Sequence, residues 1–568
     1  MDRKDIFIYD RKTFNMILTD EQQKILDTCD SNIFINAGPG SGKSTLLSLI
    51  VSKLIEINNN NFILLLTFTN KASKSIITKC STNKNNIIGG TFHSVAYKLA
   101  NKNNITWNIC DENKKEVIIK KLFKCKNDKE KNKNIYKLIS KEKSSWPINF
   151  SEETFLYNSE LEKYNMVDFD DILYKFIELI PTMILPPITH IICDETQDTS
   201  IVQMQILKVL HEKLNCKMIS ASDLDQSIYA WRNARPENIQ DFIKLFKCDV
   251  LNMGYNFRSA KTIVEKSVNL IVNNKQRINK TIRSTKKEDG VVVKYKCNNP
   301  IEEINFVINK CFQNRGSKIA ILYRNRIYKN HLELELKRNR LKYIVNDMFE
   351  ITDRSAVKSI MSIVKISTGD YDIYDMEQAV KALKGIGKST ILKLEEECKS
   401  KKLTEVVAEW IADPKKQKKF QSILNIKAFY DANQGKKLDN LVRYIETQLI
   451  DSFDFQADMK SFILDVTKDY EITNTSIRNL YNDLGLDSRE KEQEQNADIE
   501  LSTIHGFKGA EQDIVILPWT QQFTPKENTE LEDERRCFYV AITRAKSKLY
   551  MSYSGEEPLF VKEMFKVK

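Results

Sequence analysis

The sequence predicts an α/β protein with two doubly wound parallel-sheet cores, each carrying a mainly helical insertion. Three observations lead to this fold class. Short apolar runs alternate with helix-periodic stretches, several of the runs end in polar clusters, and two helix-patterned blocks at about 98–165 and 370–490 interrupt the series. Parallel strands connected by helices bring their carboxyl ends to one edge of the sheet, where polar residues then collect.

Eight apolar runs predict the strands, four in each core. In chain order they are NIFINA (32–37), FILLLTFT (62–69), ITHIICDE (188–195), KMISASD (217–223), GVVVKY (290–295), KIAILYR (318–324), DIVILP (513–518) and KLYMSY (548–553). The helical blocks then set the domain boundaries. We expect a first core at 1–97 and 166–257 with an insertion at 98–165, and a second core at 258–369 and 496–568 with an insertion at 370–495.

Length and composition are compatible with a large protein of several domains. A chain of 568 residues is too long for a single core, and 41% hydrophobic with 29% charged residues is an ordinary globular balance. The net charge of +11 permits a nucleic-acid partner without requiring one. No apolar run is long enough to span a membrane, and the 11 scattered cysteines contain no C-x-x-C pair. We therefore expect an intracellular, reducing location and no membrane partner.

Two stretches share the pattern A-x-x-G-x-G-K-S-T, namely AGPGSGKST (37–45) and ALKGIGKST (382–390). A phosphate-binding loop needs a strand leading into a glycine turn, followed by a helix whose first N–H groups face the anion. The first copy has all three parts. Its glycines at 38, 40 and 42 let the backbone curl around phosphates, Lys43 reaches the β/γ oxygens, and Ser44 is suited to ligate Mg²⁺.

The second copy lies between two helix-patterned segments and has no strand before it. It is therefore predicted to be a turn between helices and not a nucleotide site. Two interpretations remain open for this turn. It resembles a helix-hairpin-helix element, whose N–H groups face a DNA phosphate, and it is equally compatible with a plain glycine turn between packed helices.

Two acidic residues follow a buried apolar run in CDETQD (193–198). Asp194 at the strand end is suited to hold Mg²⁺ through an ordered water, and Glu195 is suited to polarise an attacking water. Such a pair is also compatible with plain surface charge. The phosphate loop expected in the same sheet favours the catalytic interpretation.

Eight further motifs accompany the phosphate loop and CDETQD. They are LTDEQQKIL (18–26), TFTNKAS (67–73), GGTFHS (89–94), VDFDDIL (167–173), SDLDQSIYAWRNA (222–234), NFRS (256–259), STIHGFKGAEQD (502–513) and ERRCFYVAITRA (534–545). With these motifs the chain resembles a superfamily 1 DNA helicase of the UvrD/Rep/PcrA type. They occur in the family's order over more than five hundred residues, and ERRCFYVAITRA is the most specific of them.

The resemblance implies two RecA-like cores that use ATP and Mg²⁺, and it assigns roles to individual residues. The implied catalytic residues are Lys43, Glu195, Gln226, Arg258 and Arg544. The implied ATP contacts are Gln22, Gly38, Gly40, Ser41, Gly42, Lys43, Ser44, Thr45, Phe257 and Glu511, with Ser44 and Asp194 as the metal ligands. The implied DNA contacts are Phe68, Thr91, Phe92, His93, Tyr229, Trp231, His505 and Lys508. For each aromatic residue taken alone, core packing is the alternative, and for Phe92 it is equally favoured.

The implied activity is ATP-driven 3′→5′ movement on single-stranded DNA and unwinding of duplex at single-strand/double-strand junctions, in replication, repair or recombination. One alternative is a translocase that strips proteins from DNA and unwinds poorly alone. Another is a catalytically silent DNA-binding scaffold, and the intact catalytic set argues against it. The sequence indicates no particular protein partner. The segment 101–145 has 13 lysines against 6 acidic residues, and either a duplex-DNA contact or an ordinary solvated helical face would explain it.

Overall fold

The chain is described here from a computed structural model. The described residues are 18–80, 84–105, 107–110, 112–123, 129–163, 166–229, 235, 237–345, 355–369, 371, 375–376, 379–380, 383, 393–394, 396–397, 400–401, 403–410, 414–448, 463–464, 467–477, 480, 497–524 and 531–566. Trp231 and the glycine turn at 385–390 lie outside them. Within these ranges, no helix has both the length and the apolar composition that crossing a bilayer requires.

The strands are short, as expected for sheets covered by helices. They are β1 (Ile33–Ala37), β2 (Ile63–Leu66), β3 (Ile87–Gly90), β4 (Asn108–Ile109), β5 (Met166–Val167), β6 (His190–Asp194), β7 (Lys217–Ser222), β8 (Asp249–Met253), β9 (Tyr255–Asn256), β10 (Arg283–Ser284), β11 (Val291–Cys297), β12 (Ile319–Tyr323), β13 (Tyr343–Val345), β14 (Ile499–Thr503), β15 (Gln512–Leu517) and β16 (Ala545–Ser554).

Helices connect most of these strands. They are α1 (Asp20–Asp27), α2 (Lys43–Ile57), α3 (Asn70–Lys79), α4 (Phe92–Lys102), α5 (Glu112–Leu122), α6 (Lys129–Lys143), α7 (Glu152–Lys163), α8 (Phe169–Leu179), α9 (Ile201–Leu214), α10 (Asn238–Leu245), α11 (Lys261–Ile271), α12 (Pro300–Gln313), α13 (Lys329–Arg338), α14 (Ser355–Thr368), α15 (Leu403–Trp410), α16 (Pro414–Ala432), α17 (Leu438–Gln448), α18 (Leu531–Ile542) and α19 (Leu559–Phe565).

Contacts divide the described chain into two compact units. The first unit takes its residues from 1–291, 523–547 and 559–568, and the second from 292–522 and 548–558. The predicted boundaries, in contrast, assign 258–369 and 496–568 to one core. The difference arises because α18 and α19 pack against α11, which joins the C-terminal helices to the first unit.

The first unit contains a six-stranded sheet in the order β3-β2-β6-β7-β1-β8, and every neighbouring pair is parallel. Ile33 of β1 lies opposite Ile219 of β7 on one side and Asp249 of β8 on the other. Ile33 and Ile35 pack on one face with α2, whereas Phe34 packs on the other face with α8 and α9. Because helices cover both faces, the central strands are almost wholly apolar.

A helical insertion in the first unit has a small core of its own. Ile119 of α5, Ile139 of α6 and Tyr157 of α7 are fully buried in it. The lysine-rich block belongs to these helices, but its lysines differ in environment. Lys115 and Lys143 are buried against carboxylates, whereas others are exposed, including Lys121, Lys133, Lys137 and Lys141. The buried lysines are therefore structural, and the two interpretations of the block remain open for the exposed ones.

The second unit contains another six-stranded sheet, in the order β11-β16-β15-β12-β14-β13. In its centre, β12 runs parallel to β14 and β15, and Ile319 lies opposite both Ile499 and Ile514. Helices α14 to α17 form a separate apolar core, in which Ile360, Phe420 and Leu441 are fully buried. The predicted fold class, two parallel-sheet cores with helical insertions, is thus confirmed.

Each of the eight predicted strands is present. Within the two six-stranded sheets, the sequence did not predict β3, β8, β13 and β14, and three of these are edge strands. β3 contains two glycines, and β8 exposes Asp249, Val250 and Asn252. An edge strand buries less side-chain surface than a central one, so its apolar pattern is weaker.

Candidate active site

A glycine turn connects β1 to α2 in the first unit. Gly40 and Gly42 have φ angles of 65° and 83°, in the left-handed region that disfavours other residues. At Gly40 a Cβ would also lie only 2.6 Å from the Cβ of Arg258. Gly42 is the N-cap of α2 and has no side chain to cap the first N–H groups. Those groups therefore face the turn, as an anion-binding loop requires.

Lys43, the first residue of α2, pairs with a carboxylate at the end of β6. Its Nζ lies 2.6 Å from Oε1 of Glu195. Burial alone would lower the pKa of Lys43, but the carboxylates of Glu195, Asp194 and Asp223 outweigh this and raise it. The lysine is therefore held as a cation beside the glycine turn, within the field of all three carboxylates.

Glu195 is held in an unusual backbone conformation, with φ at 58°, and its N–H donates to the carbonyl of Ala221 on β7. Gln197 secures the carboxylate, because its Nε2 donates to Glu195 Oε2. The Gln197 Oε1 in turn accepts from the Ser222 hydroxyl and from the N–H of Asp223, at 3.2 Å. Gln197 thus joins the ends of β6 and β7. No role was predicted for Gln197, although it lies within CDETQD.

Gln226 lies between an acid and an arginine. Its Nε2 donates to Oδ2 of Asp223 at 2.6 Å, and its Oε1 accepts from Nη2 of Arg544 at 2.7 Å. Arg544 is only 2% exposed, and its Nε donates to the carbonyl of Val540 in α18. The packing of α18 in the first unit therefore brings Arg544 to the same sheet edge as Lys43.

Asn256 connects Arg258, the other predicted catalytic arginine, to the glycine turn. Its Nδ2 donates to the carbonyl of Pro39 at 2.7 Å, and its Oδ1 accepts from the N–H groups of Arg258 and Ser259. Arg258 Nη1 donates to the carbonyl of Thr543 at 3.1 Å, one residue before Arg544. The sequence singled out the phenylalanine and arginine of NFRS. The structure shows that the asparagine holds them against the loop.

Two of the predicted ATP contacts, Phe257 and Gln22, lie beside the same turn. Phe257 donates its N–H to the carbonyl of Gly40 and leaves its ring 42% exposed. Gln22 forms a reciprocal capping box with Thr19 at the start of α1, and its Nε2 donates to the carbonyl of Ser41 at 3.4 Å. Of the two hydroxyl residues that follow Lys43, Ser44 is exposed and Thr45 is half-buried.

Three of the predicted site residues belong to the second unit. His505, Lys508 and Glu511 follow β14 in a turn that is anchored by the buried Phe507, whose N–H donates to the carbonyl of Thr503. Their implied contacts with DNA and ribose remain predictions.

Two models of known protein families match this chain. The family model described as the UvrD/REP helicase N-terminal domain matches residues 18–247. The UvrD-like helicase C-terminal domain matches 251–465 and 436–556. The chain belongs to the UvrD/Rep helicase family.

Individual relatives match this family member over nearly its whole length. DNA helicase II of Haemophilus influenzae is 25% identical, and the match covers 96% of this chain and 85% of the relative. The ATP-dependent DNA helicase Rep of Buchnera aphidicola is 26% identical, with 95% of each chain covered. The ATP-dependent DNA helicase PcrA of Staphylococcus aureus is 25% identical, with 95% and 83% covered. The predicted enzyme class, an ATP-dependent DNA helicase, is confirmed.

In this UvrD/Rep family member, two predicted DNA-contact segments meet through Asn70. Its Oδ1 accepts from the N–H of Thr91, at 3.2 Å, and from the hydroxyl of Ser94. Thr91 itself caps α4, because its hydroxyl accepts from the N–H of Ser94. TFTNKAS and GGTFHS thus form one surface at the ends of β2 and β3.

Two predicted base-stacking rings of this helicase stack on each other. The centroids of Phe68 and Tyr229 are 4.7 Å apart, with an angle of 19° between the ring planes. Phe68 is 37% exposed, whereas Tyr229 is buried. A base cannot fit between rings at this separation, so stacking on this pair would use the open face of Phe68 or require the rings to separate.

Phe92 is placed differently from what a base contact needs, whereas His93 is half-buried and its implied DNA contact remains a prediction. Phe92 is 6% exposed and packs in the core with Val95 and Phe176, as the core-packing alternative expected, so its ring offers no open face to a base. Burial lowers the pKa of His93, although Asp170 and the backbone of Phe169 oppose this effect. The neutral imidazole that this shift favours can still donate a hydrogen bond to DNA.

Proposed function

We propose that this chain hydrolyses Mg²⁺-bound ATP to move 3′→5′ along single-stranded DNA and to unwind duplex at single-strand/double-strand junctions. Replication, repair and recombination are the processes that need this activity. The observation that carries the proposal is the meeting of Lys43, Glu195, Gln226, Arg258 and Arg544 around one glycine turn in the first unit. The relatives' names, ATP-dependent DNA helicases, support the same activity.

Phosphoryl transfer needs positive charge near the γ-phosphate and a positioned water. Lys43 and the two arginines supply the charge, and the rigid hydrogen bonds of Arg544 and Arg258 reduce the cost of reorganisation. Glu195 is the proposed base. A bound triphosphate would compete with Glu195 for Lys43, because its oxygens also carry negative charge, and this competition would release the carboxylate to act on water.

Ser44 and Asp194 are the residues proposed to hold Mg²⁺, which neutralises phosphate charge when bound. Their hydroxyl and carboxylate oxygens are the donor types that Mg²⁺ prefers, with the remaining positions left to phosphates and water. The positions also fit: Ser44 is exposed in the first turn of α2, and Asp194 ends β6 close enough to Lys43 to raise its pKa.

Strand separation tests the proposed activity and its direction. Three duplexes are offered with ATP, one with a 3′ tail, one with a 5′ tail and one with blunt ends. We expect that only the 3′-tailed duplex opens, because 3′→5′ movement starts on single-stranded DNA and needs a tail of that polarity.

The Glu195→Gln protein is the control for ATP dependence in this assay. Opening of the 5′-tailed duplex alone would reverse the proposed direction. If no duplex opens while single-stranded DNA stimulates ATP hydrolysis, the protein is a translocase and not a helicase on its own. Retained DNA binding with almost no ATP turnover would instead support the silent scaffold.

Replacing Phe68 with alanine tests the proposed stacking surface. We expect binding to a single-stranded oligonucleotide to weaken by about 1–3 kcal/mol, roughly 5- to 150-fold in Kd, with little dependence on base sequence. Fluorescence anisotropy at fixed salt measures the change. Phe155→Ala is the matched control, because Phe155 is 64% exposed on α7 and lies outside the TFTNKAS and GGTFHS segments. Equal losses in the two variants would contradict a stacking role for Phe68.

A further inference from the structure

An ion-pair cluster with a fully buried centre lies next to Gln226. Lys280, which follows α11, contacts Oδ1 of Asp223 and lies 3.4 Å from Oδ2 of Asp225, and all three side chains are 0% exposed. Arg277 donates two hydrogen bonds to Asp225, from Nε to Oδ1 at 2.9 Å and from Nη2 to Oδ2 at 2.8 Å. Neither Lys280 nor Arg277 lies in one of the segments that resemble the helicase family's motifs.

The cluster determines which way the Gln226 amide points. A carboxylate only accepts hydrogen bonds, and a guanidinium only donates them. Since Asp223 lies at one end of the Gln226 amide and Arg544 at the other, the NH₂ must face Asp223 and the oxygen must face Arg544. This orientation follows from the partners themselves and holds however the amide atoms are assigned.

Lys280 is the ammonium that holds Asp223 in this arrangement. It also reaches Oδ1 of Asn36, at 3.5 Å, on the strand that leads into the glycine turn. Two carboxylates in one dry pocket repel each other unless cations compensate them. The pKa of Asp225 is accordingly lowered, because Lys280 and Arg277 outweigh the effect of burial.

We propose that Lys280 is a positioning residue for ATP hydrolysis: through Asp223 it fixes the Gln226 amide with its oxygen on Arg544. This inference rests on the proposed function, in which Gln226 and Arg544 belong to the catalytic set for ATP hydrolysis. Lys280 itself needs no contact with ATP. Its loss therefore affects the chemical step and leaves nucleotide affinity largely intact.

Steady-state ATP hydrolysis with saturating single-stranded DNA tests the inference. We expect Lys280→Met to lower kcat by about 10–100-fold, the usual effect of losing a group that orients a catalytic residue, while KM for ATP changes less than about threefold. Arg277→Met is the matched control: it removes a cation from the same cluster, but it leaves the chain from Lys280 through Asp223 to Gln226 in place. Its kcat is expected to stay within about threefold of the parent. Equal losses of kcat in the two variants would overturn the proposal.

A double-mutant comparison separates positioning from general damage to the fold. In a Gln226→Leu background, Lys280→Met is expected to cause no further loss of kcat, because the group that it positions is gone. An additional 10–100-fold loss there would overturn the proposal. If Gln226→Leu alone retains the parent kcat, the proposed role of Gln226 is the part that fails, and the two failures are thus distinguishable.

A second variant covers the case in which Lys280→Met does not fold. Lys280→Met/Asp225→Asn removes the same ammonium and one carboxylate, so the four side chains of the cluster keep a balanced charge. For this double variant we expect the same lower kcat as for Lys280→Met, by about 10–100-fold, with KM for ATP unchanged. A kcat equal to that of Asp225→Asn alone would overturn the proposal.

Discussion

Replacing Glu195 with glutamine is expected to slow ATP turnover by about 10²–10⁴-fold while ATP binding persists. The amide has nearly the same size as the carboxylate and keeps an oxygen for Lys43 Nζ, now 2.6 Å from Oε1, so the glycine turn should stay intact. What is lost is the negative charge that would polarise the attacking water, together with the hydrogen bond from Gln197 Nε2, because an NH₂ group replaces Oε2. Hydrolysis is measured with saturating single-stranded DNA, and binding with a fluorescent ATP analogue.

Glu212→Gln is a suitable control for this substitution. Glu212 is an exposed residue of α9, 60% accessible and 3.9 Å from Lys208, so its replacement should change neither hydrolysis nor binding. Turnover by Glu195→Gln within a few-fold of the parent protein would rule out Glu195 as the base. A loss of nucleotide affinity together with turnover would indicate that Glu195 mainly organises the loop.

Replacing Lys143 with methionine is expected to lower the free energy of unfolding by about 3–5 kcal/mol. Lys143 is fully buried, with its Nζ 3.0 Å from Asp168 and 2.5 Å from Asp171. These two aspartates form the capping box at the start of α8, so the lysine attaches α6 to that helix. Lys143 and Lys115 together lower the pKa of Asp168 despite its burial. Without Lys143, buried carboxylate charge is left undercompensated.

Denaturant unfolding followed by circular dichroism measures this loss. Lys141→Met is the matched control on the same helix, because Lys141 is exposed and its replacement should change stability by less than about 0.5 kcal/mol. Equal stability of the two variants would contradict a structural role for Lys143. Binding of duplex DNA by Lys141→Met at several salt concentrations also addresses the open interpretation of the exposed lysines, since a lost phosphate contact lowers the salt dependence.

Local pattern was sufficient to predict much of the fold and part of the site. Of the two glycine-lysine stretches, only 37–45 follows an apolar strand run, and the structure places β1 before it and α2 after it. The acidic pair Asp194 and Glu195 was likewise predicted from the end of a single strand. Both predictions depend on neighbours within a few residues, where sequence spacing determines geometry.

Long-range partners could not be predicted in this way. Arg544 meets Gln226 across 318 positions, and Lys280 meets Asp225 across fifty-five. Lys143 and Lys141 are two residues apart on one helix, yet one is fully buried and the other exposed. The sequence around Phe92 is likewise compatible with a ring that contacts DNA or with a ring that packs in the core.

The sequence by itself determined the two parallel-sheet cores, the position of the glycine turn between a strand and a helix, the acidic strand end and the family. Only the tertiary structure decided which lysines are buried, how Asn256 and Gln197 hold the predicted catalytic residues, and which way the Gln226 amide points. The physical reason is that hydrophobic periodicity specifies which face of an element is buried. The energy of a buried charge or amide depends instead on the particular groups that folding brings against it.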